Sequence, residues 1–307
     1  MTREDPHHDL ASAARWLAAR AADWTDSAEG IEKDLYGWYL HVTPAPDRTG
    51  PVGPAELNLP GALDAAHADA DRFTGGWRAV EAGPGGVLAE RGGLRRVITR
   101  SEYVVPARPG LAAVAGEALL VREAWTWVDV EGGFWYTRRG HWPPPGVDRL
   151  TRVYLHVAPA DAPAAIAALT GLLAVAPGVP YQLKASLADV GSVRADGVVL
   201  YLGVEDAAAL EAALQEVVSG LSGLLHPGRP RFTAALVDGV AGAGRAESSL
   251  DGESFGDLRC RMVADAWRTL DRRRRADEDA VLSALVGEFI RLGVDPARPD
   301  LISAGTG

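Results

Sequence analysis

Residues 181–202 read YQLKASLADVGSVRADGVVLYL. Two apolar, β-rich runs, Tyr181–Leu187 and Gly197–Leu202, flank a polar loop, which predicts two strands. In the first run Tyr181, Leu183 and Ala185 share one face, and Gln182, Lys184 and Ser186 the other. Lys184 and Lys33 are the only two lysines; arginine supplies the remaining 29 of the 31 basic residues. One reading of Lys184 is a surface cation that lays its stem along apolar neighbours. The other begins from what arginine cannot do, which is give up its proton. A lysine can, once burial and nearby positive charge lower its pKa, and it then serves as a base. Both readings stand on these residues alone.

Outward from this stretch, Arg152–Val157 predicts a strand and Ala160–Ala176 a helix introduced by Asp161. Glu205–Leu225 predicts one long amphipathic helix, Phe232–Val237 a strand, and 257–270 and 278–292 two more helices. The RRRR at 272–275 reads as a solvated turn. In the first half, residues 9–24 and 31–42 predict helices, and PAPDRTGPVGP at 44–54 breaks regularity. Short Val- and aromatic-rich runs with Gly turns between Trp77 and Trp142 predict antiparallel hairpins, with GPGG at 83–86 as a turn. PPPG at 143–146 reads as a hinge, dividing the chain into 1–148 and 149–307. The fold class is α+β: N-terminal helices and hairpins followed by an α/β half.

Composition sets limits. With 47% hydrophobic and 23% charged residues over 307 positions, the chain has ample material for a core. A net charge of −10 argues against general nucleic-acid binding but leaves room for arginines clustered around one anion. The single cysteine, Cys260, excludes an internal disulfide and a cysteine-based zinc site. No apolar run is long enough for a bilayer, and the polar start MTREDPHHDL has no signal-peptide character, so a cytoplasmic protein without membrane association is expected.

The chemistry-bearing residues are cations in the second half. In RVYLHVAP (152–159), Arg152, Tyr154 and His156 alternate with Val153, Leu155 and Val157, so one strand face carries all three polar groups. His156 is either a hydrogen-bonded strand histidine or an acid. Arg194 precedes the second strand. Arg259 and Arg261 lie on the helix in SFGDLRCRMVADAW, where a spacing of two turns only one toward any site. Ser254 or Asp257 is placed to cap that helix.

These words, in this order, resemble the HopA-like effector domain family: RVYLHV, YQLK, RADGVVLYL, PRFTAAL (230–236) and, most specifically, ESFGDLRCRMVADAW (253–267). LYGWY (35–39), GGW (75–77) and GFWYTRRG (133–140) extend the likeness upstream. Stand-alone bacterial members of such composition look like lyase subunits of class V lanthipeptide and thioamitide biosynthesis, similar to phosphothreonine lyases. The resemblance implies elimination of phosphate from phosphoserine or phosphothreonine of a ribosomal precursor peptide (leader and core). An aminoglycoside-phosphotransferase-like kinase would be the partner, as a heterodimer, with a separate cyclase downstream and no metal or cofactor. It implies Lys184 as base and His156 as acid, with Arg194, Arg259, Arg261, Arg152 and Tyr154 holding the phosphate. Tyr154 stands where phosphothreonine lyases carry a lysine, so affinity must lean on arginine. GWYLHVTP (37–44) offers a second histidine, His41, read as structural because no lysine follows at similar spacing. The alternative is a non-catalytic peptide-binding or kinase-stabilising module. A virulence effector is not expected, because no Ser-rich secretion segment opens the chain. The first half is assigned to peptide or kinase recognition, its Trp125, Trp127, Trp135 and Trp142 serving either that role or the core.

Overall fold

The computed structural model describes residues 8–22, 28–40, 58–68, 72–140, 142–176, 178–187, 194–249 and 254–301. His41, the loop 188–193 and the whole 44–54 segment lie outside them. Helices α1 (His8–Ala19), α2 (Ala28–Leu40) and α3 (Leu59–Ala66) open the chain. Strands β1 (Phe73–Gly83), β2 (Gly86–Arg91), β3 (Leu94–Thr99), β4 (Tyr103–Val104) and β5 (Ala118–Arg122) form an antiparallel sheet ordered β3-β2-β1-β5-β4. Its core gathers Trp77, Val87, Ile98, Tyr103, Leu119 and Val121.

A second antiparallel sheet is larger. It contains β6 (Ala124–Asp129), β7 (Phe134–Arg139), β8 (Arg149–Leu155), β9 (Tyr181–Ser186), β10 (Val198–Gly203), β11 (Ala234–Ala235) and β12 (Ala243–Ser249). The order is β11-β12-β8-β10-β9-β7-β6. β10, VVLYLG, is apolar almost throughout because it runs near the middle, with helices over both faces. One face buries Val153, Leu155, Leu183, Ala185, Val198 and Leu200 under α4 (Ala162–Ala174) and α6 (Glu211–Gly220), with α5 (Val204–Ala209) leading into α6. The other face carries Tyr154, Val199 and Ala246 against α1, α2, α7 (Phe255–Thr269) and α8 (Glu278–Arg291). The alternation expected in YQLK is therefore realised: Lys184 looks toward the α2 and α7 side, Leu183 toward α4.

Several sequence expectations change. The boundary at 148 does not separate two folding units, because β6 and β7 belong to the same sheet as β8–β12 and α1 and α2 pack on α7 and α8. PPPG is the connection from β7 to β8 within that sheet. The long helix at 205–225 is interrupted at Leu210 and ends in a single 3-10 turn at 222–224, where Gly220 and Gly223 weaken helix propagation. The strand at 232–237 shrinks to two residues. Phe232 takes φ 65°, a left-handed conformation that leaves the strand region, and its buried ring contacts Trp38 and Phe289. β12, AGRAESS, went unpredicted because its small and polar residues carry little β preference; pairing with β8 along its whole length determines it.

Candidate functional site

The site face is assembled from register. Lys184 of β9 stands opposite Val199 of β10, which stands opposite Tyr154 of β8; on the other side Lys184 faces Tyr136 of β7. One rung along, Gln182, Tyr201 and Arg152 align. In the other direction, the residue preceding Val198 is Gly197, where a Cβ would fall 2.3 Å from the Val157 carbonyl oxygen. Only glycine lets the chain enter β10 this close to β8. That approach positions the segment before it, which carries Arg194 and Asp196.

Asp196 is the centre of the site. It is 2% exposed. Lys184 Nζ donates to its Oδ2 at 3.2 Å, while Arg194 Nε donates to Oδ1 at 2.8 Å and Arg194 Nη2 to Oδ2 at 3.2 Å. The Phe134 ring lies beneath both cations, 4.3 Å from Lys184 Nζ and 5.3 Å from the Arg194 guanidinium carbon. Tyr36 of α2 closes the set from above. Burial and the Asp196 charge push its hydroxyl pKa up to about 12, so it stays a donor at neutral pH. Gly256 sits in the first turn of α7, and a Cβ there would meet the Tyr39 ring at 2.7 Å. The helix N-terminus thus comes right up to α2, and Ser254 caps it by accepting from the Asp257 amide at 3.2 Å.

The electrostatics follow. Burial alone would raise the Asp196 pKa, but the Lys184 and Arg194 charges outweigh it and hold the carboxyl below its usual range. Burial would lower Lys184; Tyr201, Asp196 and Tyr36 outweigh it and hold the ammonium above the ordinary lysine value. Of these three, Asp196 is the carboxylate, and its charge does this. The expectation that surrounding arginines would lower the Lys184 pKa is corrected: a carboxylate absent from the sequence reading lies between the cations. Its signal was present in RADG, an acid two residues after an arginine and directly before a strand.

Arg152 and Tyr154 occupy the same face. Arg152 Nε donates to Ser248 Oγ at 2.9 Å and the guanidinium stacks on Tyr201 at 5.1 Å. Burial pushes the Tyr154 pKa up, which keeps it neutral. His156 is buried, with Nδ1 3.0 Å from the Pro227 carbonyl oxygen and 3.2 Å from that of Gly228. Facing two acceptors, Nδ1 must carry hydrogen, which leaves Nε2 as the nitrogen that gains or loses a proton. Strand spacing and rise separate the Cα atoms of His156 and Lys184 by about 12 Å on one face. The imidazole is held by the 226–229 loop.

Neither helix arginine joins this cluster. Arg259 is fully buried and clamps the C-terminal segment: Nε donates to the Pro299 carbonyl at 2.8 Å, Nη2 to that of Leu301 at 2.9 Å, and Phe255 lies under it at 4.8 Å. Burial lowers its pKa to about 10. Arg261 points along α7 to Asp265 at 4.0 Å. The phosphate role expected for the pair is replaced by a structural role for Arg259 and a helix-surface position for Arg261. Among the predicted tryptophans, Trp135 is fully buried, while Trp125, Trp127 and Trp142 are half-buried. Among the described residues, no three His, Cys, Asp or Glu side chains converge to hold a metal ion, and no helix is long and apolar enough to cross a membrane.

Two solved structures share this fold. The effector protein from Pseudomonas syringae pv. tomato strain DC3000 aligns with TM-score 0.55 at 15% identity, covering 96% of this chain and 98% of that one. The effector protein from Pseudomonas syringae pv. syringae strain 61 aligns with TM-score 0.56 at 17% identity, covering 97% and 99%. A comparison with curated proteins finds no match. Residues 128–301, which contain every member of the Lys184 cluster except Tyr36, match the HopA1 effector protein family, and the chain belongs to that family.

Proposed function

We propose that the chain is a phosphoserine/phosphothreonine lyase acting on a kinase-phosphorylated ribosomal precursor peptide, giving dehydroalanine or dehydrobutyrine. The observation that supports this reading is the Lys184–Asp196–Arg194 constellation: one proton-exchanging amine and one guanidinium joined by a buried carboxylate, over the Phe134 ring. Arg194 and Arg152 are the cations that hold a phosphoryl dianion, with Tyr36 and Tyr154 as neutral donors. When a phosphoryl group engages Arg194, Asp196 loses one counter-ion and its proton affinity rises. The Lys184 proton then passes to Asp196 across 3.2 Å, and the neutral amine removes the substrate α-proton. The Cα–H electron pair becomes the Cα=Cβ bond, the Cβ–O bond breaks, and phosphate leaves with its electron pair. His156, protonated at Nε2, donates to the departing oxygen after the 226–229 loop releases the ring toward the site. In this reading a separate kinase supplies the phosphorylated residue and a separate cyclase consumes the alkene.

One observation favours a second reading. Beside Asp196, Lys184 is held as an ammonium, which suits a module that binds a phosphorylated or acidic peptide without turnover. Lys184→Arg separates the two. Incubated with a synthetic phosphoserine peptide, the wild-type chain alone should produce the mass loss of phosphoric acid. Lys184→Arg should still bind the peptide and produce none. A turnover-competent Lys184→Arg variant would end the base assignment; wild-type binding without mass loss would establish the module.

A further inference from the structure

Beside the five-stranded sheet lies a cavity of about 340 Å³ whose cationic lining is Arg91, Arg95, Arg96, Arg122, Arg138 and Arg139. Such a concentration is unexpected in a chain of net charge −10. Three of the six are accounted for: Arg95 pairs with Glu90 at 2.8 Å, Arg96 with Glu102 at 2.7 Å, and Arg139 donates to the Ala176 carbonyl at 2.8 Å. Glu123, which also lines the cavity, pairs with Arg72 at 3.1 Å. The other three, Arg91, Arg122 and Arg138, have no ion-pair partner among the described residues. The Nε groups of Arg122 and Arg138 are buried without a hydrogen-bond acceptor. Each guanidinium carbon lies over an aromatic ring: Arg91 over Trp77 at 5.0 Å, Arg122 over Phe73 at 5.9 Å and Arg138 over Trp125 at 3.7 Å. An aromatic neighbour limits the motion of a guanidinium, and a planar fork held this way can receive a carboxylate in two parallel hydrogen bonds.

The cavity is also connected. Trp125 stands opposite Arg138, Trp127 opposite Tyr136, and Tyr136 opposite Lys184, so all five side chains share one sheet face. Arg138 is one strand and two residues from Lys184, about 8 Å between Cα atoms. Trp127 and Tyr136, stacked at 5.0 Å and 7°, form a flat apolar strip between the two places. β6 is the outermost strand of its sheet, with no further strand along it among the described residues.

We infer that this cavity is a docking subsite for an acidic, extended peptide segment, whose carboxylates meet Arg91, Arg122 and Arg138 and whose apolar side chains lie on Trp77 and Trp125. An extended chain suits an open sheet edge, and its alternating side chains suit a wall of alternating guanidinium and indole. That the segment belongs to the same polypeptide as the phosphorylated residue rests on the function proposed above; the binding itself does not.

The test uses the full chain and a short, end-blocked peptide alternating Glu and Val, which carries no phosphoryl group, so its binding succeeds or fails independently of elimination. A Gln-for-Glu counterpart and inorganic phosphate are the comparison ligands, with tryptophan fluorescence and calorimetry as readouts. The Glu peptide should bind, its Gln counterpart about tenfold more weakly or worse, and Arg138→Gln and Arg122→Gln should each lose about tenfold. Added salt should weaken the Glu peptide alone. Thermal melts check that each variant is folded, and the two variants probe the cavity from different strands, β5 and β7. Equal binding of the Glu and Gln peptides, absence of binding, or indifference to both substitutions would overturn the inference. So would arginine-dependent phosphate binding without peptide binding, which would make this a small-anion site.

Discussion

The two arginine-bearing sites meet on the seven-stranded sheet, the second also drawing Arg91 and Arg122 from the five-stranded one, and they solve opposite problems. Around Asp196 the protein supplies its own anion: a carboxylate at 2% exposure takes hydrogen bonds from both Lys184 and Arg194. Around Trp125, Arg91, Arg122 and Arg138 have no ion-pair partner among the described residues, and aromatic rings lie against them instead. The first arrangement fixes protonation states; the second leaves hydrogen-bonding capacity unspent. A compensated cluster is part of the folded structure and resists change, whereas an uncompensated one gains energy only from outside. This difference has measurable consequences for stability as well as for binding.

The largest is at Asp196. Asp196→Asn keeps the shape but leaves Lys184 and Arg194 facing a neutral amide in a mostly buried site. Removing one partner of a buried ion pair costs about 3–5 kcal/mol. Urea denaturation of the variant should show a loss in that range, with the slope unchanged. A loss below about 0.5 kcal/mol, the level of an ordinary surface substitution, would mean that the carboxylate is not the keystone of the cluster.

The same group sets the pH response. Asp196 has a depressed folded pKa, so its contribution is fully present above the unfolded carboxylate value of about 3.9 and is lost as pH falls through the folded value. Lys184 has a raised folded pKa, so its contribution is present below the unfolded lysine value of about 10.4 and is lost as pH rises through the folded value. The stability gap between wild type and Asp196→Asn should therefore be flat near neutrality and close on the acid side. Curves that stay parallel down to about pH 2 would show that Asp196 ionisation does not govern the gap.

How much of this could be read without coordinates divides along the same line. The strands carrying Lys184 and Arg152 were legible because alternating apolar residues write a strand's two faces directly into the sequence. The partition of Arg152, Tyr154 and His156 onto one face followed from the same periodicity. Asp196 was missed because a carboxylate between two cations is visible only once Gly197 brings β10 against β8, a contact spanning 40 residues. Tyr36 was missed for a stronger version of that reason, since α2 reaches the site only through packing on α7. Arg259 was misassigned because a helix spacing of two says that one arginine turns inward, not whether a ligand or a backbone carbonyl meets it. The boundary at 148 was drawn at a proline run, but strand pairing is set by partners on both sides of it, which a local composition signal cannot weigh.

The smallest expected effect is the one that most sharply separates the two regions. Arg138→Gln removes a cation that has no ion-pair partner among the described residues and that stands near a second guanidinium, Arg96. Burial and the Arg96 charge lower the Arg138 pKa and together outweigh the opposing Glu102 carboxylate, so the net setting disfavours the charge the wild type carries. Against this stands the stack on Trp125 at 3.7 Å, which contributes roughly 0.5–1 kcal/mol in a partly exposed setting. Relief of desolvation and repulsion offsets most of that, so the variant's unfolding free energy should stay within about 1 kcal/mol of wild type, and added salt should narrow whatever difference remains by screening the Arg96–Arg138 repulsion. A cost like that of Asp196→Asn would show that Arg138 already has an internal anion, and that the contrast between a filled site and a waiting one is false.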